Sequence, residues 1–210
     1  METAFSVEIS NVIPEGSDWE EARPFKFLCG TIVNDTITTY LDIEVFCDTL
    51  YELSGHGNLY SWNGVGFDFV VLHDGGIELK KGIVLNHYDM MFDFFCRHGY
   101  PVKFTNVLRG FGRYEDAEWL DKTKKDKDFV DYEKIAVEYG QRKTMLILDT
   151  LRRCQDGAGI LWVSNEGKRK METIDRFRTV EECLELPEPD VSWMREGGLT
   201  RNRFVGWLGL

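Results

Sequence analysis

The run at residues 61–72, SWNGVGFDFVVL, constrains this chain more than any other stretch, because it sets a polar, glycine-bearing loop and one aspartate between apolar residues. Residues 58–62 read as a short strand, and Asn63-Gly64-Val65-Gly66 as a turn whose glycines permit positive φ. Residues 67–72 then open an amphipathic helix, which puts Asp68 in a first helical turn directly after a strand's C-terminal edge. That crevice is where open α/β sheets bind ligands. An acid near a helix start also has an ordinary explanation, since capping oxygens and the macrodipole favour carboxylates there.

The flanking sequence alternates between strand and helix patterns. Residues 3–10 predict a strand with Phe5, Val7 and Ile9 on one face and Ser6 and Glu8 on the other. Residues 25–33 and 36–41 predict two antiparallel strands about Asn34-Asp35. Helices are expected over residues 45–53, 86–98 and 129–151, with a shorter one within 101–112. In the longest of these, Ile135, Val137, Met145, Leu146, Leu148 and Leu151 supply the core face. His87 and His98 fall on one expected helix, but no third ligand type stands at a suitable spacing, so a metal pair is not indicated. The mixed charges of residues 113–131 predict a solvated face or loop. A hairpin is expected over residues 160–171 and a helix fragment over 181–186, followed by an extended covering tail at 186–210.

At 210 residues the chain predicts one domain, 1–210, long enough to bury a sizeable core. The formal net charge of −11 argues against broad duplex binding, which draws its affinity from Lys and Arg displacing counterions. Any contact with nucleic acid is therefore expected to be local. The five cysteines have no CxxC spacing and read as thiols of a reducing compartment. With no apolar run of membrane-spanning length and no signal-like opening, no membrane association is expected and the default location is cytoplasmic.

The segment WNGVGFDF resembles the second motif of the RNase H-like 3′–5′ exonucleases of the proofreading type, where an Asn-Gly-containing loop precedes Phe-Asp. FSVEIS, HYDMMFDFFCRHGYP, EYGQRKTMLIL, LPEPDVSWM and RFVGWL match in the same order, so the resemblance, which is to a bacterial branch, covers most of the chain and fits poorly only over residues 113–128. It implies an α/β, RNase H-like fold: a mixed five-stranded sheet flanked by helices. It also implies phosphodiester hydrolysis by two divalent ions about 4 Å apart, held by four carboxylates.

Carried over position by position, the resemblance keeps Glu8 on the first strand, Asp68 after the loop and Tyr139 on the long helix as catalytic remnants, with Glu8 and Asp68 as the metal ligands if any metal binds. Asn63 and Gly64 would contact substrate. Ser6 and Lys143 replace the other two acids. LDIEVF is a better literal match to the first motif, but only one helix fits between Glu44 and Trp62, where the fold needs strands; Asp42 and Glu44 are therefore read as a helix cap and first-turn acid. On the long helix, Glu138 and Asp149 do not stand one turn after Tyr139. Two carboxylates and one ammonium do not suit Mg²⁺, which wants oxygen ligands and compensating charge. The expectation is a catalytically degenerate exonuclease-like protein without cofactor, binding a protein partner or a single-stranded nucleic-acid end, with the Lys143 ammonium beside Glu8 or Asp68. The alternative is an active exonuclease on DNA or RNA, using Mg²⁺ or Mn²⁺ with altered ligands.

Overall fold

The computed structural model describes residues 1–11, 22–125, 132–192 and 199–209. Its centre is β1 (Glu2–Ile9), whose period-two pattern sends Phe5 and Val7 to one face and Ser6 and Glu8 to the other. On one side β1 pairs antiparallel with β2 (Phe27–Val33), which pairs antiparallel with β3 (Ile37–Tyr40) around the Asn34-Asp35 turn. After α1 (Ile43–Ser54) the chain returns to the other side of β1 as β4 (Asn58–Ser61), parallel to it. A short α2 (Phe69–Asp74) and α3 (Lys81–Leu85) lead to β5 (Tyr88–Asp89), parallel to β4 at the far edge. The protein is thus α/β, with a mixed five-stranded sheet in the order β3-β2-β1-β4-β5 flanked by helices.

The remaining elements clothe this sheet. They are α4 (Met90–His98), α5 (Phe104–Gly110), α6 (Tyr114–Lys125), α7 (Tyr132–Arg153), the hairpin β6 (Ile160–Val163) and β7 (Arg169–Glu172), α8 (Val180–Glu185) and α9 (Asn202–Val205). Phe5 packs its ring edge-on to Phe69, 5.3 Å between centroids, on one face of the sheet. The other face carries α7. Ser6 is buried despite its polarity, because α7 presents small residues to the sheet at Ala136, Gly140 and Thr144 and approaches closely. A Cβ at Gly140 would lie 3.1 Å from Thr31 Oγ1 and 3.4 Å from Glu8 Cγ, so this glycine sets the depth at which α7 docks. Asp42 caps α1, accepting from the N–H groups of Glu44 and Val45 at 2.9 and 3.0 Å, and Glu44 is in the first turn.

Several expectations are corrected. Residues 86–89 do not belong to the helix that follows them: Asp89 accepts from Met91 N and Phe92 N, which starts α4 at Met90 and leaves His87 off the helix that carries His98. The charged stretch after Arg113 forms α6, anchored by the buried pair Ala117 and Leu120 one turn apart; residues 126–131, and with them the expected helix start at 129, lie outside the described residues. On α7 Met145 is exposed, because the line facing the sheet runs through Ala136, Gly140, Thr144, Ile147 and Leu151. The tail is helical around residue 203 rather than extended: Phe204 packs on Phe92 and Phe95, and a further helical turn, Gly206–Leu208, follows α9. Trp193 and Met194 of LPEPDVSWM lie outside the described residues. No helix among the described residues is long and apolar enough to cross a membrane.

Candidate functional site

The loop after β4 is held by a carboxylate that the sequence reading did not single out. Asp89, at the end of β5, is buried and accepts four backbone hydrogen bonds. Its Oδ1 receives Asn63 N at 2.9 Å and Met91 N and Phe92 N at 3.1 Å, and its Oδ2 receives Val65 N at 3.0 Å. Burial pushes this carboxyl up to about 6, against those four N–H groups. A signal was present in the sequence, since Asp immediately before the apolar run MMFDFF is a helix-start pattern.

Within the loop it is Asn63, at φ 67°, that takes the left-handed conformation. The expectation that Gly64 and Gly66 supply positive φ is therefore corrected; they serve close approach instead. A Cβ on Gly64 would lie 2.2 Å from Ser61 Oγ, and one on Gly66 2.5 Å from Asn63 Oδ1 and 2.8 Å from Phe204. The backbone then winds through a π-helical turn, Gly64–Asp68, into α2. Trp207 closes the loop from outside, donating its indole N–H to Val65 O at 2.9 Å. Asn63 and Gly66 line a cleft of about 360 Å³ with Met91 and Phe204, whereas Gly64 is buried against Ser61 and His87.

Asp68 does not cap α2. Its Oδ1 accepts Val7 N at 2.8 Å, an N–H of β1 beyond the point where β4 stops pairing, at Ala4 with Tyr60. Its Oδ2 is buried with no hydrogen-bond partner among the described residues. Burial pushes the Asp68 carboxyl up to about 7, while Lys143 and the Val7 N–H pull the other way.

Lys143 reaches in from α7 and places Nζ 3.1 Å from Glu8 Oε1, with both side chains largely covered, at 15% and 17% exposure. Burial opposes its charge, but Glu8 and Asp68 outweigh that and its pKa is raised. The ammonium also sits 6.0 Å from the Tyr139 ring centroid. Burial, with Glu8 adding to it, pushes the Tyr139 phenol up to about 12. Tyr139 stacks on Trp119, whose other contact is the Arg142 guanidinium, 4.5 Å from its ring centroid. Ser6 shares a strand face with Glu8 but turns to α7, its Oγ 2.7 Å from Thr144 Oγ1. Thr144 gives its own hydrogen to Gly140 O at 2.7 Å, so Ser6 is the donor of that pair.

Glu8, Asp68, Tyr139 and Lys143 therefore converge, while Ser6 is engaged beside them. The acids weighed as substitutes are occupied elsewhere or exposed: Asp149 binds Arg113 and Arg153 at 2.6 and 2.9 Å, and Glu138 faces solvent. Two carboxylates sharing their space with an ammonium do not fit a pair of divalent ions. Asp68 spends one oxygen on a backbone N–H, and Glu8 is paired with the ammonium itself.

Beneath the loop, Ser61 Oγ and His87 Nε2 are 3.2 Å apart, and His87 Nδ1 is 2.6 Å from Val84 O. A carbonyl oxygen can only accept, so Nδ1 carries the proton and Nε2 accepts from the Ser61 hydroxyl. Burial pushes His87 down to about 4, which makes stability depend on acid. As pH falls from about 6.5 to about 4, the unfolded chain takes up a proton at residue 87 that the folded chain refuses, so stability falls with pH by up to about 3 kcal/mol from this group. Urea unfolding of the protein and of His87→Gln should show a stability gap about 3 kcal/mol larger at pH 7 than at pH 4. A pH-independent gap would mean that the imidazole is charged inside the fold.

No protein-family model matches the sequence, and no curated protein matches it.

Proposed function

We propose that this chain is a catalytically degenerate RNase H-like 3′–5′ exonuclease, whose fold is kept for binding a protein partner or a single-stranded nucleic-acid end. The observation that carries the reading is the Lys143 ammonium, 3.1 Å from Glu8, at the helix position where the resembled enzymes carry a metal-binding acid. Supporting it, the sheet is mixed and five-stranded, as the resemblance implies, with Glu8 on the central strand and Asp68 arriving from the loop after β4. The ammonium supplies the positive charge that the carboxylates would otherwise take from metal, as buried charges require. The formal net charge of −11 favours a protein surface, or a strand end held locally, over extended nucleic acid.

Calorimetric titration of the whole protein with Mn²⁺ should give no saturable heat up to millimolar metal, and labelled single-stranded DNA and RNA should keep their length. Saturable Mn²⁺ binding, or metal-dependent shortening that disappears in Asp68→Ala, would assign an active exonuclease with altered ligands instead.

A further inference from the structure

Away from that pocket, β3 is the outer strand of the sheet, and among the described residues no strand pairs with its open edge. Asn34 N donates to Thr36 O at 3.0 Å, and bonded and non-bonded pairs alternate along an antiparallel ladder. With Ile32 opposite Thr38 and Gly30 opposite Tyr40, it is therefore Thr38 and Tyr40 that bond β2, while Ile37 and Thr39 turn their N–H and C=O groups outward. Those outward groups have no hydrogen-bond partner among the described residues.

Exposed apolar side chains line the same edge. Gln141 Nε2 donates to Thr39 Oγ1 at 3.1 Å, and α7 runs antiparallel to β1, since Gly140 lies over Glu8 and Thr144 over Ser6. β3 runs in the direction of β1, so Met145, one turn past Gln141, comes level with Ile37. Both are exposed, as are Leu41 at the other end of the strand and Val45 in the first turn of α1. Around them the charge has one sign: residues 34–48 hold Asp35, Asp42, Glu44 and Asp48, all exposed, and no Lys, Arg or Pro. Edge strands commonly carry Lys or Pro against pairing, whereas here an acid stands at each end. Two copies joined along β3 would set acid beside acid in either sense, Asp35 by Asp42 when antiparallel and each by its own twin when parallel. The edge therefore disfavours itself and favours a strand with basic ends.

We infer that the β3 edge is a docking site for an extended segment of a partner protein, one with apolar side chains at alternate positions and a Lys or Arg at each end. The segment adds a strand to the sheet: its backbone meets the outward groups of Ile37 and Thr39, its apolar side chains cover Ile37 and Met145, and its bases face Asp35 and Asp42. The inference stands apart from the Glu8 pocket and would survive an active metal site there.

The test selects phage-displayed random decapeptides on the whole folded protein, and the most enriched peptide is synthesised. Its sequence should alternate apolar residues between basic ends, and on binding it should slow amide exchange at Ile37 and Thr39; Thr38 and Tyr40, bonded to β2, are slow already. Ile37→Pro removes one outward N–H and leaves the bonds to β2 in place, so this variant should melt close to the parent and bind the peptide about tenfold more weakly. Asp35→Lys, in an exposed turn, should weaken the same peptide without touching the strand. The assignment is overturned by no enrichment, by an enriched peptide with acidic ends, by one that binds both variants as it binds the parent or leaves Ile37 and Thr39 unprotected, or by a dimer of the protein alone whose formation protects those two amides.

Discussion

Combining Ser6→Asp with Lys143→Asp should give a chain whose folding depends on Mn²⁺. Without metal, the variant sets two further carboxylates beside Glu8 and Asp68 and removes the ammonium that faces them, so it should be markedly less stable than the parent. Uncompensating a buried charge in this way costs about 3 kcal/mol or more. With Mn²⁺ in roughly hundredfold excess over its dissociation constant, binding to the folded state alone returns about 2.7 kcal/mol, a rise in Tm of about 5–10 °C for a domain of this size. The single variant Lys143→Met separates the two effects, since it loses the ammonium without adding a ligand and should melt lower whether or not Mn²⁺ is present. A folded double variant with no metal-dependent shift would mean that these positions never framed a metal site, and the exonuclease reading would fail with it.

Asp89→Ala should be the most destabilising of the single side-chain truncations considered for the loop. It strips the acceptor from Asn63 N, Val65 N, Met91 N and Phe92 N together, in a place closed to solvent. Each buried N–H left without a partner costs about 1–3 kcal/mol, and with partial relaxation the sum should be on the order of 4 kcal/mol, or a Tm lower by roughly 10 °C. Asp89→Asn should cost less, because its single carbonyl oxygen can keep the three bonds now made by Oδ1 while its amide meets Val65 N unfavourably. Hydrogen exchange at Asn63 and Val65 should accelerate in the alanine variant before global unfolding. If that variant loses under about 1 kcal/mol, the loop has other support and Asp89 is only a helix cap.

What could be read from the sequence depended on how local each cause was. The alternation around Phe5, Val7 and Ile9 marked β1, and the Asn34-Asp35 turn marked the β2–β3 hairpin, because side-chain period and turn chemistry are local. β5 was hidden because two residues carry no period; it is a strand only through its pairing with β4. α6 was hidden by its charges, which outnumber the two apolar residues that anchor it. That Lys143 would meet Glu8 or Asp68 followed from the resemblance, which lays the long helix over the sheet acids, and the partner it takes is Glu8. The bond from Val7 N to Asp68 could not be anticipated, since a backbone N–H has no sequence signature and the acceptor is 61 positions away. Nor does spacing show that Ser6 turns to Thr144, a choice made by the depth at which Gly140 lets α7 settle.

The indole bond from Trp207 to Val65 spans 142 positions. During synthesis the ribosome must therefore add 142 residues after Val65 before that clasp can form. Until then a nascent chain already able to pair β1 with β2 carries its glycine-bearing loop unlatched, because the segment that completes it leaves the exit tunnel long after the loop has.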